Sequence, residues 1–592
     1  MDQFSTMCAA FQATAARCSD LVALRTKGDA TRITWREYAT RVRALASGLA
    51  GLGVGPGDTV GILMTNRPEF NLIDTAAMHL GAAPFSMYLT SSADQLRYLL
   101  TDSGARVIAT ERAHLPRLRA LGLSRITFIV VDGDGDGAAL SLAQLAQSAR
   151  PDFDFDTAWR AVTPDTVLTL IYTSGTTGDP KGVELTHANM VAQIRGFLAL
   201  RPLDGDQPVR VVSYLPHAHI ADRFGTHYLW MWIGGTVTAC PDPRLLFDHV
   251  PDAHPTDFTG VPRVWEKLKA GIEARIAGET PERRAMATAA IEAGLAKVRL
   301  EASGQPVPPE LAAGVARAEQ QLFAPLRAAL GLGDARRFFV GAAPSTREVL
   351  EFFYALGMPI CEVWGMSELS ACGTVMPPGS MRIGTVGVAM PGVELRLADD
   401  GELLVRGPIV MRGYRNRAKL TRETIDREGW LHTGDVADIA ADGYVRIIDR
   451  KKEIIISSAG KNMSPANIEA RLKASSPLIG QAVAFGDGRP YNVALLVLDP
   501  DGTSAFCRAR GIDPVIVSHT HHPAVREELN RAVAAANDHL SRPEQIKRYT
   551  LLTVEWLPGG DELTPTMKLK RRAVATKYAR EIDALYAGEA AE

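Results

Sequence analysis

The chain has 592 residues, 65 basic against 67 acidic, and a formal net charge of −2. That length exceeds what one compact core holds, so two or more domains are expected. With 46% hydrophobic and 22% charged residues, disordered and fibrous classes are excluded. The balanced charge offers no electrostatic case for nucleic acid.

The N-terminus, Met1-Asp2-Gln3-Phe4-Ser5, has neither the basic nor the apolar region of a secretory signal. Cys8, Cys18, Cys240, Cys361, Cys372 and Cys507 are scattered with no CxxC pair, which fits a reduced, cytoplasmic protein. The stretch Val131–Gly137 alternates Asp and Gly but lacks the closing Glu of a calcium loop. Short apolar segments at Val167–Tyr172, Val211–Leu215, Gly235–Ala239 and Arg337–Val340 read as strands. Amphipathic segments at Thr186–Leu200, Pro308–Leu330 and Ser345–Leu356 read as helices, and the alternation is that of an α/β fold. The most apolar run, Leu229–Cys240, falls short of the roughly 18–20 residues that span a bilayer. Peripheral contact at the inner membrane face is compatible with this composition. After the predicted strand Tyr444–Ile448, Ser464-Pro465 supplies an N-cap followed by Pro at the first helical position. A domain boundary is expected at Lys452, dividing residues 1–451 from a smaller C-terminal domain of residues 452–592.

The strongest chemical signal is Thr173-Ser174-Gly175-Thr176-Thr177-Gly178-Asp179-Pro180-Lys181-Gly182, read as a loop between a strand and a helix. Its glycines let backbone N–H groups approach an anion, and its hydroxyls and lysine add donors for phosphate oxygens. A Walker A reading fails, because Lys181 lies between Pro180 and Gly182. His217, His219, Asp222 and His227, and likewise His519, His521 and His522, match no familiar zinc spacing with an open position. The second histidine group reads as an exposed loop closed by Pro523.

The loop resembles the phosphate-binding signature of the adenylate-forming (ANL) superfamily, which comprises acyl-CoA synthetases, luciferases and peptide-synthetase adenylation domains. Further segments resemble that family's motifs in its order. They are Val363-Trp364-Gly365-Met366-Ser367-Glu368, Leu431-His432-Thr433-Gly434-Asp435, Asp449-Arg450 with Gly460-Lys461-Asn462, and Pro565-Thr566-Met567-Lys568. Tyr214–His219, Val261–Lys267 and Ile448–Pro465, with the Ala-rich helical insertion Glu266–Leu330, resemble long-chain fatty acyl-CoA synthetases.

The resemblance implies an α/β fold with a large multi-subdomain N-terminal domain and a small mobile α+β C-terminal domain. It implies ATP and CoA as co-substrates, Mg2+ as cofactor, and a fatty acid activated as its acyl-adenylate. A separate acyl carrier protein as acceptor and a non-catalytic nucleotide-binding relative are the alternatives. No serine follows Lys568, so a carrier fused behind it is not expected.

By the same resemblance, the nucleotide pocket is lined first by the loop residues Thr173, Ser174, Gly175, Thr176, Thr177, Gly178 and Lys181. The turn Gly341-Ala342-Ala343-Pro344 follows, with Ala342 where the family has glycine. Then come Glu362, Val363, Trp364, Gly365, Met366 and Ser367, with Asp435, Ile447, Arg450 and Lys568 completing the pocket. Glu368 and Thr176 are the implied metal ligands. Trp364 is expected to stack on adenine in place of the family's usual Tyr. Asp435 would accept from the ribose hydroxyls, and Arg450 would contact ribose or phosphate. Lys568 would serve adenylation electrostatically, His219 would stand beside the acyl chain, Gly460 and Lys461 would line the CoA path, and Lys452 would be the hinge.

Overall fold

The computed structural model describes residues 4–148, 150, 152–173, 179–203, 208–380, 382–457, 461–513, 522–564 and 567–587. A five-stranded parallel sheet runs in the order Ala83–Ser86, Thr59–Leu63, Val107–Thr110, Thr127–Val130, Ala139–Ser141. Its strands are buried almost throughout and mostly apolar, as strands covered on both faces require. Helix Pro68–Met78 connects the first two of these in sequence and is itself almost wholly buried.

A second five-stranded sheet holds Asp257–Gly260, Arg337–Val340 and Ile360–Trp364 in parallel, with Thr374–Val375 and Val388–Ala389 antiparallel at its edge. Val340 stands opposite Glu362. The Gly341 turn and Trp364 therefore leave the sheet at one carboxyl edge, the usual place for a ligand in an open α/β sheet. A four-stranded antiparallel sheet, Glu394–Leu397, Glu402–Arg406, Leu431–Ile439 and Val445–Arg450, sets Asp435 opposite Arg450.

The strand Val167–Thr173 and the helix His187–Leu200 form as the patterning predicts. Thr186 caps that helix through a reciprocal box with Asn189. One expectation is corrected here. The Gly-rich loop does not run into the helix; it returns as a second strand, Lys181–Thr186, pairing antiparallel with Val167–Thr173 from Thr173↔Lys181 onward. Val183 and Leu185 are fully buried, and this alternation holds the segment in the sheet. The loop thus joins two paired strands, and its residues Ser174–Gly178 lie outside the described residues.

Two further differences are smaller. The strand after Tyr444 runs from Val445 to Arg450, because pairing with Leu431–Ile439 draws Asp449 and Arg450 into the ladder. The insertion 309–329 is helical with one π-turn at Glu319–Phe323.

Beyond residue 452 the chain builds cores of its own. Ile479–Phe485, Asn492–Leu498 and Ile546–Leu552 form a three-stranded sheet. Helices Pro465–Ser475 and Pro523–Asp538 bring Ile468, Leu472 and Leu529 into one apolar core with Leu496 of that sheet. Ser464 caps the first of these helices by accepting from the Asn467 N–H. Among the described residues, no helix is long and apolar enough to cross a membrane.

Candidate active site

The hairpin, the Trp364 edge and the Asp435 strand converge on one cleft. Lys181 opens the returning strand, and its ammonium lies 5.2 Å from the centre of the Tyr414 ring. Such a contact contributes about 0.5–1 kcal/mol when exposed. Tyr414 belongs to the short strand Gly413–Tyr414, paired with the same hairpin. Its hydroxyl donates to Glu368 Oε1 at 2.8 Å. Burial and the Glu368 carboxylate hold that phenol well above its ordinary pKa, so it stays a donor. Glu368 is 7% exposed, and its main-chain carbonyl accepts from the Met411 N–H. One carboxylate oxygen is thereby committed to Tyr414.

Asp435 is held from two sides. The Trp364 indole N–H donates to its Oδ2 at 2.8 Å, and Arg450 Nε lies 2.7 Å from its Oδ1. Trp364, at 8% exposure, belongs to the main apolar core. Gly365 and Gly373 make its seat possible. A Cβ on Gly365 would fall 1.7 Å from the Ala371 carbonyl oxygen, and one on Gly373 would fall 2.9 Å from Trp364 Cζ3.

In the Gly341–Pro344 turn, Ala342, Ala343 and Pro344 are exposed. A Cβ on Gly341 would meet Val363 Cγ2 at 2.8 Å. Ala342 takes φ of 70°, the left-handed conformation that glycine adopts without cost. Glu362 accepts from the Gly384 N–H at 3.1 Å, and burial pushes its carboxyl up to about 7. Met366 and Ile447 are partly buried against the core, and Ser367 is buried.

Lys568 reaches this cleft from the C-terminal region. It follows Met567, whose φ is 64°, and its N–H donates to Thr564 Oγ1 at 3.0 Å. The residue as a whole is exposed, yet its ammonium is surrounded by protein. Lost hydration and the nearby Arg450 charge lower its pKa, while Asp435 and Glu368 act in the opposite direction. Lys568 also faces His219, whose Nδ1 accepts from the Ala221 N–H. Burial first, then the Lys568 charge, push His219 down to about 4, so it is neutral at ordinary pH.

The structure thus brings Lys181, Glu368, Trp364, Asp435, Arg450, Lys568 and His219 to one cleft. It does not bring Lys461 there. Lys461 is exposed on the hairpin Ile455–Ile456/Asn462–Met463, its backbone bonded to Ser457. Thr173 ends its strand, partly buried; Thr176 and Gly460 lie outside the described residues. Lys452 is exposed between Lys451, which is paired with Asp400 and Glu402, and Glu453, whose carboxylate is 3.9 Å from Arg571 Nε.

The histidines of the first group serve a buried network. His217 Nδ1 is 2.5 Å from Asp222 Oδ2, while His227 and Arg223 converge on Asp74 at 3.0 and 2.7 Å. Among the described residues no cluster of three or more His, Cys, Asp or Glu side chains is arranged to hold a metal. His522 caps helix Pro523–Asp538, and His519 and His521 lie outside the described residues. A single carboxylate oxygen with phosphate and water oxygens is a donor set that suits magnesium, and Glu368 leaves such an oxygen free of Tyr414. Sequence reasoning missed Tyr414, because an isolated Gly-Tyr pair carries no spacing that points to a site.

Residues 11–415 match the family model described as AMP-binding enzyme, and residues 452–590 match the model of the AMP-binding enzyme C-terminal domain. The chain belongs to the AMP-binding enzyme family. It is 51% identical over 76% of its length to fadD11 of Mycobacterium tuberculosis, covering 79% of that protein, which is provisionally named a fatty-acid–CoA ligase. It is 35% identical over 94% of its length to the long-chain-fatty-acid–CoA ligase FadD15 of the same species, covering 92% of it. Among solved structures, the adenylation domain of a carboxylate reductase from Mycobacterium chelonae shares the fold. The TM-score is 0.78 at 21% identity, with 99% of this chain and 92% of that one covered.

Proposed function

We propose that this chain is an AMP-forming fatty-acid–CoA ligase. The fatty-acid carboxylate attacks the α-phosphorus of ATP, and the bond to the β-phosphate breaks, releasing pyrophosphate. The CoA sulfur then attacks the acyl carbonyl, the bond to the AMP oxygen breaks, and AMP and the thiol proton leave. The observation that carries this reading is the meeting of Lys568, from beyond the Lys452 boundary, with Glu368, Asp435 and Arg450 from before it.

In this mechanism the protein supplies position and charge rather than a nucleophile. Lys568 holds the attacking carboxylate against the α-phosphate. Lys181 and the loop residues Ser174, Gly175, Thr176, Thr177 and Gly178 hold the phosphates. Asp435 holds the ribose, and the Gly341–Pro344 turn lines the adenine. Neutral His219 borders the reacting carboxylate without adding charge. Glu368, together with Thr176, would hold magnesium, which when bound neutralises the triphosphate. Lys452 is the hinge that brings Gly460 and Lys461 to the CoA path in the second step. Six free, buried cysteines support a reducing, cytoplasmic setting.

The deciding experiment measures AMP release, with and without CoA, across short, medium and long fatty acids, sterol-type acids and aryl acids. We expect CoA-dependent AMP release with specificity rising along the aliphatic series, because each buried methylene contributes about 0.8 kcal/mol. A preference for acetate or benzoate would overturn the long-chain assignment. AMP release that ignores CoA but needs an added acyl carrier protein would move the acceptor to the carrier.

A further inference from the structure

Trp364 does more in this structure than present an aromatic face. Its indole N–H donates to Asp435 Oδ2 at 2.8 Å, while Arg450 Nε stands 2.7 Å from Oδ1 as an ion pair. A carboxylate offers about four lone-pair sites. The indole bond takes one site on Oδ2 and Arg450 balances the charge at Oδ1, so sites remain on both oxygens, which is the pattern that accepts two vicinal hydroxyls. The two holders differ in exposure. The Arg450 side chain is 49% exposed, whereas Trp364 is 8% exposed and lies against Gly373 with no room for a Cβ. Trp364 is therefore the enclosed holder and Arg450 the exposed one.

The polar atom's place on the ring matters. Indole carries its N–H on the flank of the five-membered ring, where it meets Asp435. Phenol carries its hydroxyl at the far tip, so an aromatic swap at this position preserves the face and loses the bond.

We infer that Trp364 is a positioning residue for ribose recognition: its N–H fixes the plane of the Asp435 carboxylate that receives the ribose hydroxyls. This rests on the nucleotide reading above, and a binding measurement that needs no acid substrate tests it separately. The experiment is calorimetric titration of the full chain with AMP, 2′-deoxy-AMP and 3′-deoxy-AMP.

Three variants are compared with the wild type. Trp364→Phe keeps a six-membered face and removes the N–H. Trp364→His loses the benzo ring but keeps a donor at the equivalent Nε2. Replacement of Trp364 by β-(3-benzothienyl)alanine changes only N–H to sulfur and preserves the packing. In the wild type, AMP should bind more tightly than either deoxy analogue. Losing the N–H should weaken AMP about tenfold, in line with a bond to a charged acceptor, and weaken each deoxy analogue, which keeps one of the two hydroxyls, by clearly less. The preference for AMP then collapses in the Phe and benzothienyl variants and survives in Trp364→His. An equal loss for all three ligands, or a preference that follows ring size rather than the N–H, overturns the inference. AMP binding with this pattern but no acid-dependent turnover would sink the ligase reading and leave the role of Trp364 standing.

Discussion

Ala342 and Glu362 stand at the same sheet edge and both hold costly states. A Cβ in the left-handed region costs about 1–2 kcal/mol, and Ala342 sits there with φ of 70°. Ala342→Gly removes that strain but loosens the unfolded chain, so a net gain of about 0.5–1 kcal/mol is expected. Denaturant unfolding checks it, and an unchanged midpoint would mean the turn is relaxed as it stands. Glu362 keeps its proton up to about pH 7 against an ordinary value of 4.5. Between those values the folded chain holds a proton that the unfolded chain has released, so stability falls as pH rises through the window and is level above it. Glu362→Gln keeps an acceptor for the Gly384 N–H without an ionisable group. Its melting temperature should exceed the wild type's at pH 8 and match it below pH 4.5; equal melting temperatures at pH 8 would show that Glu362 ionises freely. The methyl that departs from glycine at position 342 was legible in the sequence. Tyr414 was not, because its bond to Glu368 depends on a three-dimensional pairing of Gly413–Tyr414 with a distant hairpin.

Elements that sequence resolves are those whose periodicity is local. Val167–Thr173 and His187–Leu200 announce themselves by apolar runs and a capping box. The strand Lys181–Thr186 between them does not, since six residues with two buried apolar positions also fit the approach to a helix. Its identity is fixed by pairing on both edges, with Val167–Thr173 and with Gly413–Tyr414. The crossing at Lys452 is similarly short and is bounded by contacts rather than by pattern. Lys451 is tied to Asp400 and Glu402 on one side, and Glu453 faces Arg571 on the other. Lys452→Pro fixes φ near −65° and removes an N–H, which should obstruct one pose of a swivelling domain. We expect the variant to form the acyl-adenylate and transfer it poorly to CoA. Each half-reaction run alone checks this, and full transfer by the variant would place the swivel elsewhere.

Across the whole molecule, ion pairs hold the C-terminal body where Lys568 reaches the cleft. Arg263 pairs with Asp499, Lys267 with Asp501 at 2.7 Å, and Arg471 with Glu348 at 2.5 Å. Exposed pairs such as Lys267–Asp501 contribute at most about 1 kcal/mol each, so together they bias a pose without locking it. That suits the proposed second step, in which Lys568 would leave the carboxylate. Arg263→Glu combined with Lys267→Glu replaces attraction with repulsion at this seam. Adenylation should slow severalfold, while conversion of a supplied acyl-adenylate to acyl-CoA should hold or quicken. Adding Asp499→Arg and Asp501→Lys restores opposite charges and should recover adenylation. Raising the salt concentration should weaken adenylation in the wild type in the same direction, since these partly exposed charges are screened within about 10 Å at 0.1 M. Lys568→Ala serves as the reference: it should abolish adenylate formation and still convert supplied adenylate, because it removes the group and leaves the seam intact. If the reversed pairs slow both half-reactions equally, or the swapped charges fail to rescue the first, the seam is only a structural contact and does not select the pose.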